Sequence, residues 1–277
     1  MGRPPALWKR VLRTAALAAV AYLLLGGGFV MLFEDSFIYF PEKGGVGASP
    51  AEDVFLDASD GVRLHGWYAA EPGARMAILW FHGNAGNLEH RRGMFRQLRA
   101  LPASVLVIDY RGYGRSGGKP SEAGLYLDAR AAWDWLSART PPGRIVILGK
   151  SLGGGPACQL ASQVPCGGLI LQSAFTSAPD MAWRVMPFFP ARWFMRTKYD
   201  SLSRIPRIPC PKLFIHSRDD EIVPFGMAER LYAAAAEPRE CAWFDGAGHN
   251  DLWVVHEKEY FALLSRFLER CGEGKGP

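Results

Sequence analysis

Residues 144–155 read Arg144-Ile145-Val146-Ile147-Leu148-Gly149-Lys150-Ser151-Leu152-Gly153-Gly154-Gly155. Residues 145–148 are apolar without interruption, three of them β-branched, which suits a strand covered on both faces of a sheet. From Leu152 onward the chain reads as a helix to about residue 162, with glycines in its first turn. Gly149-Lys150-Ser151-Leu152-Gly153 stands between them as a Gly-x-Ser-x-Gly in a strand–turn–helix setting, the context of a nucleophile elbow. The chemistry accounts for the glycines. A serine on so sharp a turn takes a strained backbone, and the residues two positions away must lack bulk for strand and helix to approach. The helix N-terminus then points N–H groups and a positive dipole end at a developing oxyanion. The competing reading is a glycine-rich turn carrying a solvated serine. The neighbouring Lys150 reads as a solvated side chain that could attract an anionic substrate.

Working outward, residues 54–56 and 62–68 flank the turn pair Asp60-Gly61 as an antiparallel start. Apolar runs follow at 76–81, 105–108, 169–171 and 213–215, with a shorter one at 242–244. Helical patterns occupy 122–138 and 252–268. This alternation predicts one doubly wound, mostly parallel α/β domain over residues 41–277. Residues 174–209 break the rhythm. Trp183, Met186, Phe188, Phe189, Trp193, Phe194 and Met195 crowd there, interrupted by Pro187 and Pro190. Such an excursion from the carboxyl edge of an open sheet reads as an apolar lid, as packing onto the core, or as both for different residues.

Residues 14–33 carry no charge, and twenty residues at about 1.5 Å each span roughly 30 Å, a bilayer core. Arg3, Lys9, Arg10 and Arg13 precede the run, and Glu34-Asp35 follows it. Residues 1–40 therefore read as a cytoplasmic stub and a membrane anchor, with the catalytic domain on the far side. Trp8 and Tyr39 would mark the two interfaces. A cleaved signal peptide fits less well, because the run is long and no small-residue cleavage site follows it.

The composition is 49% hydrophobic and 21% charged, which excludes a disordered chain. Much of the net charge of +5 lies before the apolar run, and no basic tract interleaves with aromatics elsewhere, so nucleic acid is a poor partner. The five cysteines, Cys158, Cys166, Cys210, Cys241 and Cys271, form no C-x-x-C pair. No metal site and no organic cofactor are expected.

A serine hydroxyl needs a base, and the base needs an orienting acid. The chain order at such an elbow is serine, acid, histidine. Three histidines follow Ser151. His216 ends a strand and His256 lies in a helical pattern. His249 sits in Gly246-Ala247-Gly248-His249-Asn250-Asp251, after the last strand, where a base can hang over the elbow. The acid should follow the strand at 213–215, where Asp219, Asp220 and Glu221 compete and spacing does not choose. Phe81-His82-Gly83-Asn84-Ala85-Gly86-Asn87 follows the first long buried strand. The backbone N–H groups of Asn84 and Leu152 are expected to form the oxyanion hole, with His82 holding the loop. Asp109 conflicts with the chain order as an acid.

Together FHGNAGN, DYRGYGRSGG, GKSLGG, SAFTS, HSRDDEIVP and GAGHND, spread from Phe81 to Asp251, resemble an α/β-hydrolase branch. It is that of the membrane-anchored bud-emergence-type proteins and their depalmitoylase-like relatives, often labelled serine-aminopeptidase-like. The resemblance implies an eight-stranded α/β-hydrolase fold and a triad of Ser151, Asp220 and His249. Asp220 comes from the acid motif His-Gly-x-x-Asp-x-x-Val-Pro, in which Ser217 here replaces the glycine. The expected activity is hydrolysis of an ester or thioester of an acyl or lipid-like substrate. Peptide hydrolysis and a non-catalytic scaffold are the rival readings.

Overall fold

The structure, a computed structural model, describes residues 7–45 and 47–273. The start of the expected cytoplasmic stub, with Arg3, and the last four residues of the Gly/Lys-rich tail lie outside the described residues. In chain order the described elements are α1 (Leu7–Ile38), β1 (Glu52–Asp57), β2 (Arg63–Ala69), β3 (Met76–Phe81), α2 (Arg92–Leu98) and β4 (Ala103–Ile108). Then come α3 (Glu122–Ser137), β5 (Ile145–Lys150), α4 (Gly154–Ala161), β6 (Gly168–Gln172), α5 (Ala178–Val185) and α6 (Ser201–Arg204). β7 (Lys212–Ser217), α7 (Phe225–Ala234), β8 (Arg239–Phe244), α8 (Leu252–Val255) and α9 (Glu257–Gly272) complete the chain.

The strands form one eight-stranded sheet in the order β1-β2-β4-β3-β5-β6-β7-β8. β2 runs antiparallel to both neighbours, and every other pairing is parallel. This is the α/β-hydrolase architecture. Side chains alternate across the sheet into two cores. From β3, Ala77, Leu79 and Phe81 enter one cluster, with Leu125 and Ala129 of α3 and Ala157 of α4. Met76, Ile78 and Trp80 enter the other, with Phe95 of α2 and Leu264 and Phe267 of α9. Both faces are dry, so β3 is apolar at every position and the middles of its neighbours nearly so.

Two helical patterns differ from the sequence expectation. The helix after Ser151 opens with a 3₁₀ turn, Ser151–Gly153, before α4. The C-terminal pattern breaks at His256, whose Nε2 pairs with the Asp245 carbonyl at 2.9 Å.

α1 has 32 residues, about 48 Å at roughly 1.5 Å per residue, and is long and apolar enough to cross a membrane. A signal sequence near an N-terminus passes the same test. Leu17, Val20, Leu24, Leu25 and Leu32 are exposed along it, while Gly27, Val30 and Glu34 are buried. The buried side packs on the 174–209 excursion. A Cβ on Gly26 would lie 2.3 Å from Phe189, and one on Gly27 would lie 2.4 Å from Phe194, so only glycine admits the two stacked rings. Within the excursion, Phe189 and Met195 are buried and Trp183, Phe188 and Trp193 are exposed, so packing and exposure are divided between residues. Tyr39 departs from its expected interfacial place. It is buried, and its hydroxyl hydrogen-bonds the Tyr199 hydroxyl at 2.8 Å.

Candidate active site

Ser151 stands at the carboxyl end of β5 with φ +51°, a left-handed conformation that costs a non-glycine residue about 1–3 kcal/mol. The close packing of the turn holds it there. A Cβ on Gly153 would lie 2.1 Å from the Phe81 carbonyl oxygen, and one on Gly149 would lie 2.6 Å from that of Gly153. No larger residue fits either position without prising β5, β3 and α4 apart.

Asp220 and His249 meet on the loops after β7 and β8. Asp220 Oδ2 accepts from His249 Nδ1 at 2.7 Å, which leaves Nε2 of that ring available for a substrate-side proton. Asp220 Oδ1 accepts the backbone N–H groups of Ile222 at 3.0 Å and Val223 at 2.8 Å. His216 Nε2 donates to the Val223 carbonyl at 2.9 Å and lies 3.3 Å from Asp220 Oδ2. Burial pushes the Asp220 carboxyl up. Hydrogen bonds from His216, His249 and the Val223 N–H outweigh this and hold it well below the usual carboxylate range.

The three adjacent acids have separate partners. Asp219 accepts the Gly246 N–H at 2.6 Å, Asp220 takes the His249 ring, and Glu221 accepts the His249 backbone N–H at 2.9 Å. Ser217, in place of the motif's glycine, donates its hydroxyl to the Ala247 carbonyl and accepts the Asp219 N–H at 3.2 Å. The serine thus ties the two loops together.

Ser151 and the Asp220 loop share one cavity of about 580 Å³, lined by Ser151, Leu152, Asn84, Ile222 and Val223. Phe175, Met181 and Met186 close one side of it, and Phe29, Val30 and Phe37 of α1 close another. Its size falls within the roughly 300–1,000 Å³ typical of small-molecule sites. Ser151 Oγ makes no hydrogen bond to His249 in this structure. Bonds of this kind often tighten only when substrate binds.

Asn84 lies at the cavity edge on the loop after β3. Its side chain is committed to support. Nδ2 donates to the Ile38 carbonyl, and Oδ1 accepts from Tyr113 Oη at 2.8 Å. Arg91, which sequence reading passes over, donates to the carbonyls of Gly83 at 3.2 Å and Asn84 at 3.0 Å, and to that of Ala85. His82 is fully buried, donates Nδ1–H to the Gly83 carbonyl at 2.7 Å, and stays neutral. Burial, with the charge on Arg91 adding to it, pushes its pKa down to about 3. Asp109 is buried and accepts the Leu88 N–H at 3.0 Å, apart from the cavity.

Lys150 is half-buried rather than solvated. Burial, and the charge on Arg91 behind it, lower its pKa to about 8, against the pull of Asp220 and Asp251. Glu34 is a further residue without a sequence signal: it belongs to no motif and acts through Arg196 and Thr197, far along the chain. Glu221 lies inside the acid motif, but its bond to the His249 backbone has no signal of its own.

A mostly parallel sheet that gathers its polar side chains on loops at the carboxyl edge places this site where open α/β sheets bind their ligands. Residues 77–199 match the family model described as alpha/beta hydrolase fold. The chain is 40% identical to an uncharacterized protein of Mycobacterium tuberculosis, over 92% of this chain and 96% of that one. It is 36% identical to the alpha/beta hydrolase domain-containing protein WAV2 of Arabidopsis thaliana, over 91% and 93%. Among solved structures, the esterase Pf2001 of Pyrococcus furiosus superposes with a TM-score of 0.70 at 23% identity, covering 84% of this chain and 97% of that one. The chain belongs to the α/β-hydrolase family, and its architecture supports a hydrolase.

Proposed function

We propose that this protein is a membrane-anchored serine hydrolase that cleaves an ester or thioester of an acyl or lipid-like substrate. The observation that carries the reading is the 2.7 Å bond from His249 Nδ1 to Asp220, whose loop shares a cavity with a strained Ser151. In the first half-reaction His249 Nε2 takes the Ser151 hydroxyl proton. Ser151 Oγ attacks the acyl carbonyl, and the oxyanion rests on the N–H groups of Asn84 and Leu152. The protonated His249 then gives its proton to the departing alcohol or thiol. Water, activated by the same histidine, releases the acid and frees Ser151. Asp220, kept ionised, holds the imidazole in the required tautomer and stabilises its charged form.

The apolar cavity favours an acyl group over a peptide. Among the described residues Glu34 is the one carboxylate on the cavity lining, and it is already engaged by Arg196 and Thr197, so none of them offers a free carboxylate to capture an amino terminus. The basic residues Lys9, Arg10 and Arg13 in the first turns of α1, and the acidic pair Glu34-Asp35 near its end, support a cytoplasmic N-terminus with the hydrolase domain on the far side.

The test is labelling of the full-length protein with a fluorophosphonate probe. Wild type should label, and Ser151→Ala and His249→Ala should not. Labelling that persists in Ser151→Ala, or none in wild type, refutes the triad. Retention in the membrane after a carbonate wash checks the anchor.

A further inference from the structure

We infer that α1 is a wall of the acyl site and selects the acyl chains that reach Ser151. The inference rests on the acyl-hydrolase reading and extends it to the N-terminal helix. Phe29, Val30, Phe37 and Ile38 of α1 line the same cavity as Ser151 and Leu152. The opposite wall is Met181, Ala182, Val185 and Met186 of the lid. Without these four side chains, the wall that faces the lid would be missing.

The helix is fixed to the domain at three levels, as a wall must be. Near its middle, the Tyr22 hydroxyl donates to the Phe188 carbonyl at 3.2 Å, and the Tyr22 ring meets the Phe189 edge at 5.4 Å. One turn on, Gly26 and Gly27 receive Phe189 and Phe194. Near the end, the buried Glu34 carboxylate accepts Arg196 N–H at 2.9 Å, Arg196 Nε at 3.0 Å and Thr197 Oγ1 at 3.3 Å. The chain leaving the helix is then sewn to the loop after β3. Asn84 Nδ2 donates to the Ile38 carbonyl, Asn84 Oδ1 accepts the Phe40 N–H at 3.3 Å, and the Glu42 N–H reaches the Gly86 carbonyl at 3.2 Å. A disposable leader would not be held at both the lid and this loop.

The place of the wall along α1 indicates the substrate's route. Phe29, Phe33 and Phe37 share one helical face, with ring centres 5.0 Å apart for Phe29–Phe33 and 5.8 Å for Phe29–Phe37. Phe29 and Phe37 line the cavity and are also about half exposed, so the mouth opens along this face. Phe33 ends the uncharged run and Phe37 lies about 6 Å beyond it along the axis. In a helix that spans the bilayer, the mouth therefore sits at the boundary between acyl chains and headgroups. A long-chain ester or thioester can slide in from the lipid with its carbonyl uppermost.

Two variants test this in the full-length protein in lipid nanodiscs. Val30→Trp fills the cavity from the helix side. Gly28→Leu adds bulk on the same helix where nothing lies within 4 Å. Hydrolysis of p-nitrophenyl palmitate relative to the acetate should fall about tenfold or more in Val30→Trp, since a pocket discriminates about tenfold or more per misfitted methylene. Gly28→Leu should keep the wild-type ratio. In a Ser151→Ala background, binding of fluorescent cis-parinarate should weaken by a similar factor in Val30→Trp alone. Phe37→Ala, which strips the mouth without adding bulk, should weaken parinarate binding severalfold and covers the case in which Val30→Trp fails to fold. Unchanged parinarate affinity in folded Val30→Trp or Phe37→Ala overturns the wall. Failure of wild type to hydrolyse either ester refutes the reaction, while the binding arm still decides the wall.

Discussion

Glu221 accepts the backbone N–H of His249 at 2.9 Å, while the residue just before it, Asp220, holds the same histidine's ring at 2.7 Å. One histidine is thus gripped at backbone and side chain by consecutive carboxylates on the loop after β7. The arrangement gives the three neighbouring acids different kinetic signatures. Asp220→Asn should cost about 10⁴-fold in kcat, because an amide facing Nδ1 favours the wrong tautomer. Glu221→Gln should reduce kcat by roughly tenfold with KM little changed, since it loosens the base's backbone without touching its ring. Asp219→Asn, which alters a side chain bonded to the Gly246 N–H and not to His249, should stay within a few fold of wild type. Steady-state kinetics on one soluble ester compares all three, and an Asp219→Asn loss equal to that of Asp220→Asn would reassign the acid.

Arg91 should matter to both stability and rate. Its guanidinium ties together the carbonyls of residues 83–85, beneath the N–H proposed to hold the oxyanion. Arg91→Met leaves the Asn84 and Ala85 carbonyls without their partner, at about 1–3 kcal/mol, while His82 still serves that of Gly83. It should also lower kcat by up to about 10²-fold through a displaced donor. Thermal denaturation in detergent, paired with ester kinetics, separates the two effects.

Lys150 makes stability depend on alkaline pH. Its folded pKa is lowered to about 8 by burial, while an exposed lysine in the unfolded chain titrates near 10.4. Between those values the unfolded state binds more protons, so this residue's contribution to stability rises with pH and levels off above about 10.4. Below pH 8 the buried ammonium is a standing cost. Lys150→Met should therefore stabilise the fold by on the order of 2 kcal/mol at pH 7, and the gain should shrink as pH climbs through 8 to 10. Melting curves of both proteins across that range give the difference directly. A gain that grows with pH would refute the assignment.

The parts legible in the sequence are those fixed by local pattern. Strands such as Met76–Phe81 stand out because helices cover both faces, leaving no polar position to blur the run. The elbow stands out because Gly149 and Gly153 answer a steric demand inside five residues. The competition among Asp219, Asp220 and Glu221 is invisible to spacing, since the turn around Ser217 alone decides which carboxylate faces the His249 ring. Glu34 reads as a polar stop after an apolar helix because its partner Arg196 lies 162 residues away. Tyr39 reads as an interfacial aromatic for the same reason, its hydroxyl partner being 160 residues off. Lys150 misleads because a lysine between Gly149 and Ser151 on a tight turn looks solvated until the loops that cover it are in place.

The contact between α1 and the lid should behave as a matched pair. Gly26 is open to Phe189 at a distance no real Cβ tolerates. Gly26→Leu should therefore push the lid away from the helix and expose the cavity. The expected result is weaker turnover of long-chain esters and faster proteolysis within residues 174–209. Phe189→Ala removes the ring that Gly26 accommodates, at a cost of about 3–5 kcal/mol for a buried phenylalanine. In the double variant the leucine can occupy the space the ring left. The combined loss of stability should then fall short of the sum of the two single losses by about 1–2 kcal/mol, as coupled neighbours do. Denaturation of the four proteins in the same detergent measures that coupling. Strict additivity would mean that helix and lid do not bear on each other in solution, and α1 would then be an anchor and nothing more.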